Sequence, residues 1–189
     1  MHHYIDIHVL PDPEFPQHQL MAALYAKLHR VLTKVQSSTI GVTFPGYEVG
    51  ASTASLGRTL RLIGPRLDLL RLMEMGWQQG MRDHVRVNAN EPVPAGAAFR
   101  SLRRVQAKSS PERLRRRQMR RHGLTEVQAR EQVPDSAAER LQLPFVTLSS
   151  TTTGQNFRMY FALGDTSPTE VKGTFNSYGL SQTATSPWF

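Results

Sequence analysis

Residues 3 to 10, HYIDIHVL, alternate between apolar and polar side chains, the period of a strand with one buried face. The period then changes. From about Gln17 to Val35, the residues Leu20, Met21, Leu24, Leu28, Val31, Leu32 and Val35 fall within roughly 120° of one another at 100° per residue, which predicts an amphipathic helix. IGVTF (40 to 44) and RTLRLI (58 to 63) read as strands. GPRLDLLRLMEMG (64 to 76) reads as a second helix opened by Pro65, whose fixed φ suits a first turn and whose missing N–H is not needed there. DHVRVN (83 to 88) reads as a fourth strand. The predicted order is β-α-β-β-α-β, the ferredoxin-like plait.

NEPVPAGA, residues 90 to 97, has the Pro/Gly content of a linker. Beyond it the pattern changes to a basic, strand-like FRSLRRVQAK, then a helix starting at Ser110-Pro111-Glu112 and stopping at Gly123. Thr125 and Gln128 have the spacing of a capping box for another helix. FVTLSS (145 to 150) and QNFRMYF (155 to 161) read as strands joined by the polar turn TTTG. The expectation is therefore an α+β chain: a ferredoxin-like domain over residues 1–92, then an α+β domain over residues 93–189 with an arginine-rich helix and β-hairpins.

Charge sharpens that division. The 189 residues are 39% hydrophobic, enough for a real core, and carry a net charge of +8. Residues 100 to 122 hold ten Lys/Arg against the single acid Glu112, while the rest of the chain is close to neutral. Basicity concentrated in one segment is the footprint of a polyanion-binding surface. There is no cysteine, which excludes disulfides, iron–sulfur clusters and thiolate zinc sites. The N-terminal segment has no signal-peptide pattern, and no apolar run is long enough to span a bilayer, so a cytoplasmic location without membrane attachment is the default.

On a helical wheel Arg113, Arg116, Arg117, Arg120 and Arg121 share an arc of roughly 140°, taking 100° per residue, with Leu114, Gln118 and Met119 behind them. Five guanidinium groups repel one another on that front, which calls for an external anion. A solvated basic face or an acidic partner protein would satisfy it. The density, the single arc and the second basic cluster upstream favour nucleic acid, since the guanidinium fork donates two parallel hydrogen bonds to phosphate. The pattern does not distinguish DNA from RNA.

No compact acidic set, no histidine pair with ligand spacing and no phosphate-cradling Gly-x-x-x-x-Gly-Lys loop is present, so neither a two-metal nuclease nor a nucleotide hydrolase is supported and no cofactor is expected. Metal-free acid/base chemistry remains, for which RNA supplies its own 2′-hydroxyl nucleophile and the protein needs a base near neutral pH. His29 lies about 120° from the centre of its helix's apolar arc at 100° per residue, with Tyr25 one turn earlier. That position argues against a buried core histidine; by itself it fits a merely exposed histidine better than a base facing a site. The hydroxyls of Ser149 to Thr153 fit a polar hairpin tip or a sugar-holding group, and Phe157 fits the core or a stacking platform.

RRVQAKSSPERLRRRQMRRHGLTEVQAR, followed by LPFVTL, TGQNFR, SYGLS and PWF, resembles the CRISPR repeat-processing endoribonuclease of type I-F systems. HYIDIHVLPDPEFPQHQLMAALYAKLH and IGVTFP match that family as well. The likeness covers nearly the whole chain and fails mainly at residues 45 to 56 and 165 to 173. It implies a metal-independent enzyme that cuts precursor CRISPR RNA at the 3′ base of the repeat stem-loop and leaves a 2′,3′-cyclic phosphate. It also implies retention on the crRNA hairpin and assembly with the other subunits of the interference complex.

By motif, His29 in KLHR matches the family's catalytic histidine, Ser150 the serine that positions the 2′-hydroxyl, and Tyr178 in SYGLS the tyrosine that orients the histidine. Thr152 stands where the family has a second serine. Arg104 and Gln106 in RRVQAK match the pair that reads bases at the foot of the stem, and arginine to guanine and glutamine to adenine are the pairings geometry favours. Arg113, Arg116, Arg117, Arg120, Arg121 and His122 would hold the RNA backbone, and Phe157 would stack beneath the terminal base pair. The alternative within this resemblance is a catalytically weak scaffold that holds the crRNA hairpin.

Overall fold

The computed structural model describes residues 2–51, 53–106, 111–134, 141–150 and 154–189. Two compact units divide them: Met1–Val105 with Leu143–Phe189, and Gln106–Gln142. The protein is mixed α+β, with four helices and several antiparallel sheets among the described residues.

In the larger unit β1 (His3–Val9), α1 (Gln17–Val35), β2 (Gly41–Thr43), β3 (Glu48–Val49), β4 (Ala54–Ser55), β5 (Thr59–Gly64), α2 (Arg66–Glu74) and β6 (Val85–Val87) follow in order. Four of these strands pair antiparallel as β2-β5-β1-β6. Ile5 and Ile7 of β1 sit opposite Leu62 and Leu60 of β5, and all four are buried. The polar side of the same register is also covered. Asp6 and Arg61 are cross-strand partners joined through two of the three guanidinium nitrogens, Nε to Oδ1 at 2.7 Å and Nη2 to Oδ2 at 2.8 Å. Arg61 Nη1 donates to the Phe189 carbonyl at 2.7 Å, and the Phe189 ring lies 3.8 Å from the guanidinium. A charge pair this buried needs both members, since either alone would be an uncompensated charge.

The Pro/Gly-rich segment at 90 to 97 departs from a plain linker. Its Glu91–Pro92 forms β7 and pairs with His3 and Tyr4 of β1, and Val93 N–H donates to the His2 carbonyl. Proline is tolerated there because a two-residue strand asks for few ladder donors. The basic stretch after it is two strands in different sheets, not one. Here β8 (Ala98–Arg100) pairs with β12 (Ser186–Trp188), whereas β9 (Leu102–Val105) joins β10 (Phe145–Ser149) and β11 (Asn156–Leu163) in the order β10-β11-β9.

Helix α1 packs against both β1 and β10. Its buried face departs from the wheel at two positions. Leu20, Met21, Leu24, Leu28, Val31 and Leu32 are buried as expected, Val35 is 40% exposed, and Tyr25 is fully buried beside them. Tyr25 meets Phe161 of β11 edge-on at 5.5 Å, and its hydroxyl donates to the Tyr178 carbonyl at 2.7 Å. Burial pushes that hydroxyl's pKa well above its ordinary value, so it stays a neutral donor.

In the smaller unit α3 (Pro111–His122) ends at Gly123, whose φ of 64° and N–H bond to the Met119 carbonyl make a left-handed stop. Its Ser110 start lies outside the described residues. Thr125 and Gln128 exchange both capping-box hydrogen bonds at the head of α4 (Glu126–Gln132). Leu114, Arg115, Gln118 and Met119 form the half-buried side of α3, and Arg115 Nε donates to the Val133 carbonyl at 2.8 Å. Arg113, Arg116, Arg117, Arg120 and Arg121 are all exposed. Among the described residues no helix is long and apolar enough to cross a membrane.

Candidate active site

The site is built on a tight turn at Asn176–Leu180. Asn176 Oδ1 accepts the N–H of Tyr178 at 2.8 Å and of Leu180 at 3.2 Å, and the Gly179 N–H donates to the Asn176 carbonyl at 2.8 Å. Val42 N–H of β2 then donates to the Gly179 carbonyl at 2.9 Å, which pins the turn to the first sheet. Gly179 has φ of 70°, and a Cβ there would stand 2.4 Å from Cγ2 of the buried Val42. Only glycine meets both conditions.

The turn fixes what His29 touches. His29 is half-buried on α1, and its Nδ1 lies 2.9 Å from the Ser177 carbonyl oxygen. A carbonyl only accepts, so Nδ1–H is the donor, and in the neutral imidazole the lone pair is left on Nε2. The ring lies flat on Tyr178, with centroids 3.7 Å apart and planes 6° from parallel. Tyr178 is held in turn by Tyr25, whose hydroxyl binds its carbonyl and whose ring stacks 6.4 Å away. The imidazole thus has a fixed tautomer and a fixed plane.

His29, Ser150, Phe157 and Tyr178 line one cleft of about 320 Å³, together with Ala26, Arg30, Leu148 and Ser149. Strand alternation explains the β10 side: Val146 and Leu148 are buried, which turns Phe145, Thr147 and Ser149 outward and leads the chain to Ser150. The Ser150 backbone is held by its N–H to the Gln155 carbonyl and by its carbonyl from Gly154 N–H. Arg104 belongs to the same neighbourhood. Its guanidinium lies 5.5 Å from the Phe157 ring and 6.0 Å from the Tyr178 ring, and its Nε is buried without a hydrogen-bond partner among the described residues.

Arg30 and the Ser177 carbonyl were not singled out by sequence reasoning. Arg30 follows His29 directly, so position was its signal; a backbone carbonyl has none. Thr152 lies outside the described residues, as does most of the TTTG turn. In the smaller unit Arg113, Arg116, Arg117, Arg120 and Arg121 line one open groove of about 650 Å³, His122 ends the same helix, and Gln106 is exposed. Among the described residues no three His, Asp or Glu side chains gather as a metal site would require.

The family of CRISPR-associated proteins described as Cas_Csy4 matches residues 4–189. The chain is 47% identical to the CRISPR-associated endonuclease Cas6/Csy4 of Pseudomonas aeruginosa (strain UCBPP-PA14), over 189 residues and 100% of both chains. It is 44% identical to the CRISPR-associated endonuclease Cas6/Csy4 of Escherichia coli (strain UTI89 / UPEC), again over 189 residues and 100% of both. With a match from one end to the other and that level of identity, the chain belongs to the Cas_Csy4 family of CRISPR-associated proteins.

Proposed function

We propose that this CRISPR-associated endonuclease is an endoribonuclease that cuts precursor CRISPR RNA at the 3′ base of the repeat stem-loop by attack of a 2′-hydroxyl, without a metal ion. The observation that carries the reading is the Nδ1–H bond of His29 to the Ser177 carbonyl, because it leaves a basic Nε2 on an imidazole clamped by Tyr178. Nε2 takes the proton of the 2′-hydroxyl, the 2′-oxygen bonds to phosphorus, and the bond from phosphorus to the 5′-oxygen breaks. The 5′-oxygen leaves with a proton from the resulting imidazolium, and the products are a 2′,3′-cyclic phosphate and a 5′-hydroxyl. Ser150, on the same cleft, orients the attacking hydroxyl, and Thr152 is assigned the supporting hydroxyl. Holding these groups in line is itself a large part of such a rate.

Recognition is assigned to the remaining residues. Phe157 stacks beneath the last base pair, and Arg104 and Gln106 read bases at the stem's foot, Arg104 from its seat over Phe157. Arg113, Arg116, Arg117, Arg120, Arg121 and His122 hold the RNA backbone, and their shared exposed groove supports that role. The sheet order β2-β5-β1-β6, with α1 and α2 as its crossovers, supports reading residues 1–92 as a ferredoxin-like plait that carries His29. Residues 93–189 then supply most of the RNA grip. The protein stays on its crRNA hairpin and joins the other interference-complex subunits in the cytoplasm.

The geometry at Tyr178 gives a specific expectation. Its ring, not its hydroxyl, meets His29. Tyr178→Phe should keep cleavage within a few-fold of the parent, whereas Tyr178→Ala should lose roughly tenfold or more, the scale of an unlocked general base. Single-turnover rates on a repeat hairpin decide it; equal losses in both variants would make the hydroxyl the acting group. The reading as a whole is tested with a hairpin whose attacking 2′-hydroxyl has been removed.

A further inference from the structure

A second, larger groove of about 890 Å³ opens beside the His29 cleft, between α1 and β10, and shares Ala26, Arg30 and Ser149 with it. The outward row of β10, Phe145, Thr147 and Ser149, runs along it towards Ser150. At about 3.3 Å per residue that row is ~13 Å long. Phe145 is 39% exposed, and the Arg158 guanidinium sits 4.6 Å from its ring. Arg30 is exposed and makes no ion pair among the described residues, and no carboxylate lines the groove there.

A hairpin that ended at the cut would need none of this. A strand that continues past the scissile phosphate has to leave the cleft, and this groove is the cleft's continuation across a shared wall. Its chemistry fits a single strand: an aromatic face for a base, cations for phosphates and hydroxyls along the way. A purely apolar occupant would leave Arg30 and the β10 hydroxyls unmatched. We infer that the groove between α1 and β10 seats the single-stranded RNA on the 3′ side of the cut, with Arg30 on a phosphate at the shared wall and Phe145 as a stacking platform. The inference rests on the endoribonuclease reading and deepens it, because it assigns the leaving strand a site of its own.

The test uses the full-length protein and a repeat hairpin made uncleavable by a 2′-deoxy sugar at the cut, with and without a short single-stranded 3′ flank. The flank should tighten binding about fivefold or more, the fold-change of one stacked base. Phe145→Ala and Arg30→Gln should each remove much of that gain. Thr147→Glu, an exposed change that places a carboxylate in the groove, should make the flank a handicap. A flank that adds nothing, or variants that weaken both RNAs alike, would overturn the assignment and leave the groove to another occupant such as a protein subunit. Failure to bind even the flankless hairpin would remove the endoribonuclease reading, and this inference with it.

Discussion

Replacing His29 by alanine should slow cleavage of the repeat hairpin by about 10²- to 10⁴-fold, the range a positioned general base contributes, while hairpin affinity stays nearly unchanged. The structure separates the two effects. His29 is half-buried and lines the cleft, whereas the core of α1 is made by Leu24, Tyr25, Leu28 and Leu32, which are fully buried. Alanine is the best helix former, so α1 should persist with its packing intact. The substitution removes a ring stacked 3.7 Å from Tyr178 and leaves a space of imidazole shape beside the Ser177 carbonyl. Added imidazole should therefore restore part of the rate. Rapid cutting by the alanine variant would take His29 out of the mechanism, and a parallel loss of affinity would make it a binding residue.

Replacing Arg117 and Arg121 together by alanine should weaken hairpin binding about tenfold or more at moderate salt, from the loss of two charge-assisted contacts. It should also lower the slope of log affinity against log salt by about 2, one for each phosphate contact removed. Both side chains are exposed and line the arginine groove, so their removal leaves the α3–α4 packing alone. Arg115 differs. It is half-buried, and its Nε holds the Val133 carbonyl, so its loss would act on the fold of the smaller unit. Affinity measured across a salt series separates the cases. An unchanged slope for the double variant would place the RNA backbone elsewhere.

Periodicity made some elements legible and not others. The apolar stripe from Leu20 to Leu32 located α1, and Thr125 with Gln128 located the start of α4, because both signals lie within one segment. Tyr25 was less legible as a buried residue, since its environment comes from Phe161 and Tyr178, far along the chain. The same limit applies to residues 90 to 97, where Pro and Gly signalled a break but the pairing of Glu91–Pro92 depends on β1. FRSLRRVQAK read as one basic, strand-like piece, and the partners of Ala98–Arg100 and Leu102–Val105 lie in different sheets.

For the site, residue types and motif likeness pointed to His29, Ser150, Phe157 and Tyr178, which line one cleft. Two features required coordinates. One is the Ser177 carbonyl that sets the imidazole tautomer, since every residue carries a carbonyl and the sequence does not mark which one is used. The other is Arg30, which follows His29 and lines both the cleft and the groove beside it. A helix neighbour lies about 100° away around the axis, so its sharing of a cavity with His29 depends on the opposing β10, which lines both cavities.

Attack of a 2′-hydroxyl on the adjacent phosphate without a metal is isolated by one comparison. A labelled repeat hairpin is incubated with the protein in EDTA beside the same hairpin carrying a 2′-deoxy sugar at the predicted cut nucleotide. Metal-free attack by the 2′-hydroxyl predicts cutting of the first at the 3′ base of the stem, and tight binding of the second with no cutting. Cutting of the deoxy hairpin would contradict it by showing that another nucleophile acts, and tight binding of both without cutting of either would make the protein a scaffold that holds the hairpin.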